Sequence, residues 1–164
     1  MVSRSRRVVV VAHCILNANA KYSGGASYPG ANLEVLEPYL RNGVGVVQLP
    51  CPESSYLGMG RWCMTRNQYD TVAYRRHCAE ILRPTVDALE EFARADYAIE
   101  GIVGIKGSPS CGVTETCVGY AGGGVGRAHA CERVAGSGVM MDVLAEMLGE
   151  RGLDVALSDV RDPD

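Results

Sequence analysis

The feature of this chain that most constrains its fold is an uninterrupted run of β-branched residues near the start, RVVVVA at 7–12. A continuous apolar run of this kind is typical of a strand that is buried on both faces of a parallel sheet. Comparable short segments follow: VGVVQL at 44–49, YAIEGIVGI at 97–105 and LDVAL at 153–157. The sequence therefore predicts four strands that are widely separated along the chain.

Helical patterns separate these strands. Asn32 is expected to cap a helix that ends at Gly43. The longest helix is expected to begin after Asp70, and Ser137 is expected to cap a final helix that ends at Gly152. On the longest helix, apolar side chains recur at spacings of three and four residues: Tyr74, Cys78, Ile81, Thr85, Leu89 and Phe92. These positions predict the face that this helix packs against the sheet.

Strands that alternate with helices join by right-handed crossovers into a parallel sheet. We therefore predict an α/β fold of the Rossmann-like kind, a mostly parallel open sheet with helices on both faces. The chain has 164 residues, which is long enough for one well-buried core. No repeat or long linker divides it, so residues 1–164 are expected to form a single domain.

Composition and charge argue against several functional classes. The formal net charge is −3, so no broad basic surface is expected, and neither a nucleic acid nor a membrane surface is a predicted partner. The basic opening of the chain precedes only a short apolar run at 8–12. That run is too short for the core of a secretion signal or for a membrane span. We expect a cytoplasmic protein, and the sequence gives no signal for an oligomeric state.

Cysteine is unusually frequent, with seven in the chain. An odd number without a secretion signal argues against a disulfide framework. No two of them have the CxxC spacing, so neither a zinc ribbon nor a thioredoxin-like motif is supported. If the thiols act together, the fold has to bring them together.

Three of these cysteines, Cys14, Cys51 and Cys111, come just after the ends of the first three predicted strands. The carboxyl ends of parallel strands meet at one edge of a sheet, where ligands bind in open α/β folds. We therefore expect these thiols to converge. The alternative is that they are ordinary buried side chains, because free cysteine is among the most buried residue types.

Three neighbouring thiolates repel one another unless a cation neutralises them. Zinc and iron–sulfur clusters are the two soft-metal solutions, and the spacing alone does not choose between them. A 4Fe-4S cluster normally has four cysteine ligands, so three would leave one iron open. An open iron can act as a Lewis acid toward a substrate.

Four segments of the chain, taken in this order, resemble the TudS-type thiouracil desulfidases. They are AHCILNANAKYSGG at 12–25, LPCPE at 49–53, YDTVAYRRHC at 69–78 and GSPSCG at 107–112. The chain is most similar to a related desulfidase-like subgroup whose first motif is of the AHC-L-N type. The differences around that motif, including His13, bear on the identity of the substrate.

The resemblance implies a 4Fe-4S cluster held by Cys14, Cys51 and Cys111 alone. It also implies a hydrolytic, non-redox reaction in which sulfur leaves a small thiocarbonyl compound, such as a thiouracil, as sulfide. In that reaction the open iron polarises the C=S bond and water attacks the carbon. The expected partner is therefore a small thiocarbonyl substrate.

Such a reaction needs a group that activates the water. Glu53 is the first candidate, because it is the one carboxylate in the three strand-end loops before Glu115. Ser108 and Ser110 flank Pro109 beside the third cysteine and are candidate catalytic contacts. Serine also simply builds turns, and an exposed loop glutamate is common. Both alternatives stay open.

His13 and Lys106 are the candidate substrate-binding residues, as a proton carrier and as a cation beside the site. Alternatively, His13 is a structural hydrogen-bonding group and Lys106 is a solvated lysine at the end of a strand. Among the other cysteines, Cys117 is the candidate fourth ligand and Cys78 belongs to the helical core face. Two further hypotheses remain, a non-catalytic iron–sulfur or sulfide carrier or sensor, and a zinc-thiolate protein.

Overall fold

A computed structural model describes residues 3–123 and 131–162 of the chain. Within these ranges the strands and helices follow one another in a single order. They are β1 (Arg7–Val11), α1 (His13–Leu16), α2 (Leu33–Arg41), β2 (Gly45–Gln48), α3 (Pro52–Leu57), α4 (Arg66–Tyr69), α5 (Val72–Arg94), β3 (Ala98–Ile105), β4 (Glu115–Val118), β5 (Glu132–Ala135), α6 (Val139–Glu150) and β6 (Leu157–Val160).

Four strands form one sheet in the order β2-β1-β3-β6, and every neighbouring pair is parallel. This confirms the predicted α/β class and its parallel sheet. The central strand β1 is buried along Val8–Val11, as its apolar run predicts. The order reverses at β1, because β2 lies on one side of it and β3 on the other. In open α/β sheets, the crevice at such a reversal is where ligands bind.

The helices pack on the two faces of this sheet. The connection from β1 to β2 through α2 runs in one direction along the sheet, and the connection from β2 to β3 through α5 runs in the other. Right-handed crossovers in opposite directions place their helices on opposite faces. Helix α6 packs against α5, so these two helices share a face. No helix in the described ranges is long and apolar enough to cross a membrane.

The first predicted helix cap is confirmed and the second is wrong. Asn32 caps α2, and its side chain accepts a hydrogen bond from the Val35 amide at 3.3 Å. Helix α5 is capped by Thr71, whose hydroxyl accepts from the Tyr74 amide at 3.2 Å. Asp70 instead ends the short helix α4, where its carboxylate accepts a hydrogen bond from Arg75 Nε at 2.6 Å.

The buried face of α5 differs in part from the predicted one. Cys78 is fully buried, as expected, but Leu82 and Val86 are buried in place of Ile81 and Thr85, which are only half-buried. The difference has a geometric cause, because α5 packs against both β3 and α6. The buried stripe therefore follows steps of four residues across much of the helix.

The predicted cap of the last helix is also wrong. Gly138 precedes α6, and no side chain caps it. The first helical amides instead donate to backbone carbonyls of the turn after β3, from Val139 to Pro109 at 2.9 Å and from Met140 to Ser110 at 3.0 Å. A Cβ at Gly138 would lie 2.3 Å from the Ser110 carbonyl carbon, so only glycine allows this contact. Ser137 bonds Asp142 instead.

The last strand lies later than predicted. The segment 153–156 leads out of α6, and β6 begins at Leu157 and pairs with Ile102–Ile105 of β3. This strand is at the edge of the sheet, so it tolerates the polar Ser158 and Asp159 that the apolar pattern did not select.

The sequence did not predict an antiparallel hairpin that follows the turn after β3. Strands β4 and β5 pair from Glu115 opposite Ala135 to Val118 opposite Glu132. A disulfide joins Cys117 to Cys131, with the two Cα atoms 5.5 Å apart. The sequence argued against a disulfide framework, and this pair is an exception to that argument. Cys117, the candidate fourth ligand, is therefore not a free thiol.

Candidate functional site

A cavity of about 200 Å³ opens at the carboxyl edge of the sheet. The three strand-end cysteines line it together with residues of the surrounding loops and the hairpin. The described side chains around it include Cys14, Lys21, Tyr22, Cys51, Glu53, Arg61, Cys63, Lys106, Ser108, Cys111, Cys117, Cys131, Arg133 and Asp162. The predicted convergence of Cys14, Cys51 and Cys111 at one edge is thus what the fold produces.

Cys14 lies in the short helix α1, directly after β1. Burial raises the pKa of its thiol to about 12, while the nearby Lys21 acts in the opposite direction. The Lys21 ammonium pairs with the Asp162 carboxylate and lies 4.8 Å from the centre of the Tyr28 ring. An ion pair and an aromatic ring therefore fix a cation beside the first thiol.

Cys51 is the residue before α3, and Pro52 follows it at the first helical position. Proline suits that position because its missing amide hydrogen is not needed there. The Cys51 Sγ accepts a hydrogen bond from the Ser54 amide at 3.4 Å. The second sulfur is therefore held at the start of a helix, where backbone amides point toward it.

Cys111 lies in a tight turn after β3. The Ser108 hydroxyl accepts hydrogen bonds from the Cys111 amide at 3.0 Å and from the Ser110 amide at 3.3 Å. A Cβ at Gly112 would lie 2.1 Å from the Glu115 carbonyl oxygen, so a glycine is required for the chain to pass there. Ser108 and Gly112 together set the direction of the Cys111 side chain.

The surroundings of Cys14 and Cys111 disfavour the charged form of both thiols, because burial raises the pKa of each. Burial raises the pKa of Cys111 well above its ordinary value, and the nearby Cys14, Cys51 and Glu53 raise it further. The groups are therefore close enough to disfavour one another's negative charge. A bound cation reverses this effect, because it favours the thiolate.

The donors around the cavity are mainly thiols, which are ligands of soft metals. Within residues 3–123 and 131–162, no three histidine, cysteine or acidic side chains are close enough to hold one metal ion. Zinc requires sulfurs that meet at about 2.3 Å from one centre. An iron–sulfur cluster is larger, so its cysteine sulfurs lie further apart. Four of the described free cysteines line the cavity, and three of them, Cys14, Cys51 and Cys111, follow the ends of strands. Thiols are the ligands that such a cluster takes.

Glu53 lines the same cavity and is held by a buried arginine. Arg61 Nε donates to Glu53 Oε2 at 3.2 Å, and the Arg61 side chain is only 2% exposed. The same guanidinium donates to the Ala20 carbonyl at 2.6 Å and to the Gly58 carbonyl at 3.3 Å. Arg61 therefore fixes Glu53 and ties together two loops around the cavity.

Tyr69 lies near the Arg61–Glu53 pair. Its hydroxyl is buried and makes no hydrogen bond of normal geometry in the described part of the chain. Burial raises the pKa of Tyr69, and the neighbouring Glu53 raises it further, so the phenol stays protonated. A neutral hydroxyl near Glu53 is a hydrogen-bond donor available to that carboxylate.

The other predicted site residues divide into two groups. Lys106 and Ser108 line the cavity. Ser110 and His13 are not among the described lining residues. Ser110 is fully buried, and its hydroxyl shares a hydrogen bond with the Tyr74 hydroxyl at 2.8 Å. Burial lowers the pKa of His13, although a hydrogen bond with the Leu49 backbone acts the other way.

Several lining residues were not predicted from the sequence. Lys21 lies inside the first motif. Arg61 lies in the segment GRWC at 60–63, and its closeness to Cys63 in the sequence is the one local feature that could have pointed to the cavity. Cys63 is exposed at the cavity, and Cys131 reaches it from the hairpin. Cys117, the candidate fourth ligand, also lines the cavity but is bonded to Cys131. Nothing in the local sequence relates Arg133 or Asp162 to the cysteines, because only the fold brings them near.

A comparison with known protein families finds one that matches most of the chain. A sequence profile described as 2-thiouracil desulfurase matches residues 9–157, a range that includes all three strand-end cysteines and Glu53. The chain belongs to the 2-thiouracil desulfurase family. Among curated proteins, an uncharacterized protein of Methanocaldococcus jannaschii is 38% identical over 110 residues, which cover 67% of this chain and 70% of that protein. No solved structure matches this family member at a significant level.

Proposed function

We propose that this protein is a desulfidase that removes sulfur, as sulfide, from a small thiocarbonyl compound of the thiouracil kind. The observation that carries the proposal is the meeting of Cys14, Cys51 and Cys111 with Glu53 around one cavity. Membership of a family described as 2-thiouracil desulfurase supports the same reaction class. The cavity is of a size to admit a compact heterocycle rather than a polymer.

We further propose that Cys14, Cys51 and Cys111 hold a 4Fe-4S cluster. When bound, the group would supply a Lewis acid for the sulfur atom, because three cysteines leave one of four irons without a protein ligand. The three thiols are free and lie at the ends of three adjacent parallel strands. Their rigid attachment to the sheet edge suits a ligand set that must not rearrange.

Glu53 is the proposed acceptor of the proton of the attacking water. Arg61 holds Oε2, so Oε1 is the oxygen that we expect to take the proton. The buried ion pair fixes the direction of the carboxylate, which general base catalysis requires. Lys106 and Ser108 are far from Glu53 in the sequence, but they line the same cavity. We assign them to the orientation of the substrate.

The first experiment is anaerobic reconstitution of the full chain with iron and sulfide. We expect a brown protein with broad absorption at roughly 400 nm, as thiolate-ligated clusters give. The reconstituted protein should then release sulfide over many turnovers from a panel of thiouracils. A colourless protein with stoichiometric zinc contradicts the cluster, and release of a single equivalent favours the carrier or sensor.

The second experiment isolates the carboxylate. Glu53→Gln keeps the size of the side chain and an oxygen for Arg61, but it removes the base. We expect sulfide release to fall by roughly 10² to 10⁴, the range typical of general base catalysis, while the colour is retained. Glu150→Gln, at the exposed end of α6, is the matched control and should leave the rate unchanged. Equal rates for the two variants would remove Glu53 from the proposed mechanism.

A further inference from the structure

The hairpin places a disulfide in the wall of the same cavity. Cys117 on β4 and Cys131 just before β5 are bonded to each other, and both line the space that the three free thiols surround. The two ends differ in access, since Cys117 is only 3% exposed whereas Cys131 is exposed. A nucleophile within the cavity therefore reaches the Cys131 sulfur more readily than the Cys117 sulfur.

A cation lies beside the buried end of this disulfide. Arg133 is the direct cross-strand partner of Cys117, so their side chains lie on the same face of the hairpin. The Arg133 guanidinium also packs against the turn after β3, where a Cβ on Gly107 would lie 3.2 Å from Nη1. Nη1 of the same guanidinium donates to Glu115 Oε1 at 3.4 Å. A cation on the same face as Cys117 favours its thiolate, whereas the burial of Cys117 acts in the opposite direction. The difference in access between the two sulfurs therefore decides which of them is attacked.

We propose that this disulfide captures sulfide in the cavity and holds it as a persulfide on Cys131. The inference rests on the proposed function for the source of the sulfide. Hydrosulfide attacks Cys131 Sγ and a new sulfur–sulfur bond forms, while the Cys117–Cys131 bond breaks and Cys117 leaves with the electron pair as a thiolate. The incoming sulfur is oxidised and the Cys117 sulfur is reduced, so the disulfide itself is the oxidant.

The same geometry makes the capture reversible. The Cys117 thiolate remains next to Cys131, with Cα atoms 5.5 Å apart in the closed pair. It can attack Cys131 Sγ, expel hydrosulfide and restore the disulfide. The hairpin would thus serve as a one-sulfur store beside a site that produces sulfide.

The test adds sodium sulfide to the oxidised full chain, without any thiocarbonyl substrate, and then alkylates all sulfur nucleophiles. Peptide mass spectrometry should find Cys131 heavier by one sulfur atom and Cys117 newly alkylated. Arg133→Gln should slow formation of this adduct by about three- to tenfold, because the leaving thiolate loses its cation. Cys63→Ser, which changes an exposed cavity thiol outside the pair, should leave the adduct rate unchanged.

The assignment is overturned if non-reducing mass spectrometry finds no Cys117–Cys131 disulfide, if no adduct forms, or if the added sulfur resides on Cys63 or Cys117. Because the sulfide is added, the test does not depend on turnover. A protein that desulfurises thiouracils but forms no adduct refutes the store alone. A protein that forms the adduct but turns over no thiocarbonyl compound refutes the proposed function alone.

Discussion

The carboxyl edge of the parallel sheet and the β4–β5 hairpin both deliver cysteines to one cavity, but they do so in opposite ways. The sheet gathers Cys14, Cys51 and Cys111 from three strands that are far apart in the sequence. The hairpin brings Cys117 and Cys131 together by local antiparallel pairing. The first three thiols stay free and the other two bond each other. In our proposals, the first region binds a cation and the second holds a reactive sulfur–sulfur bond.

The two regions also differ in how deeply their arginine–glutamate ion pairs are buried. At the sheet edge, Arg61 and Glu53 form an almost completely buried pair. At the hairpin, Arg133 and Glu115 form a pair at 3.4 Å in which the arginine is 54% exposed. Buried pairs fix geometry at a high cost if one partner is lost, whereas exposed pairs contribute little. The ion pair at the sheet edge is therefore the more firmly held of the two.

The sharpest way to break this comparison is to remove the cysteines of each region in turn. Cys14→Ser, Cys51→Ser or Cys111→Ser should abolish the cluster colour and all detectable sulfide release, because each change removes one of the three proposed ligands. Cys117→Ala should keep both colour and turnover. Iron content and absorbance of reconstituted proteins provide the measurement. Loss of colour in Cys117→Ala would mean that the hairpin supplies a fourth ligand and that the two regions form one closed site.

The next effect concerns the two arginines. Arg61→Gln should lower the free energy of unfolding by about 3 kcal/mol or more, since it leaves a buried carboxylate without its partner. Arg133→Gln should change it by less than about 1 kcal/mol. Denaturant unfolding of the two variants measures the difference.

Arg61 should also act on turnover, through Glu53. We expect Arg61→Gln to slow sulfide release in the native background, and to have little further effect when Glu53 is already glutamine. A purely structural arginine would slow both backgrounds equally, which would contradict a positioning role.

The smallest expected effect is at the junction between the hairpin and the sheet. The Asp159 carboxylate on β6 accepts hydrogen bonds from the amides of Val113 at 2.8 Å and Thr114 at 2.7 Å. Burial would raise the pKa of Asp159, but these hydrogen bonds outweigh it and lower the pKa. A lowered folded-state pKa stabilises the fold above the unfolded value of about 4. That stability is lost as the pH falls through the folded value.

Acid should therefore loosen the root of the hairpin below about pH 4, and Asp159→Asn should loosen it already at neutral pH. Hydrogen exchange at the Val113 and Thr114 amides reports this directly. The exposed Asp154→Asn is the control, and similar exchange in both variants would show that Asp159 does not anchor the hairpin.

The features that the sequence predicts are those that local patterns determine, and most of the features that it misses depend on contacts made only in the fold. Strands β1, β2 and β3 and their terminal cysteines follow from apolar runs, which burial in a parallel sheet imposes locally. The start of α6 at Gly138 and the contact of Arg61 with the Ala20 carbonyl depend on groups distant in sequence. The hairpin is local, but its strands are short and their apolar pattern is weak. For α6, the carbonyls of Pro109 and Ser110 replace the serine cap that a local pattern favours. Thr71 and Asp70 are adjacent cap-forming residues, and only packing selects between them.

The reversal of strand order at β1 has a consequence for how the protein is made. Cys14 and Cys51 leave the ribosome long before Cys111, whose strand β3 must add to the free side of β1 before the third thiol reaches the others. A partly synthesised chain therefore offers at most two of the three proposed ligands. The complete set forms only after β3 has joined the sheet, so the proposed cluster would be assembled on a chain whose sheet already extends past β1.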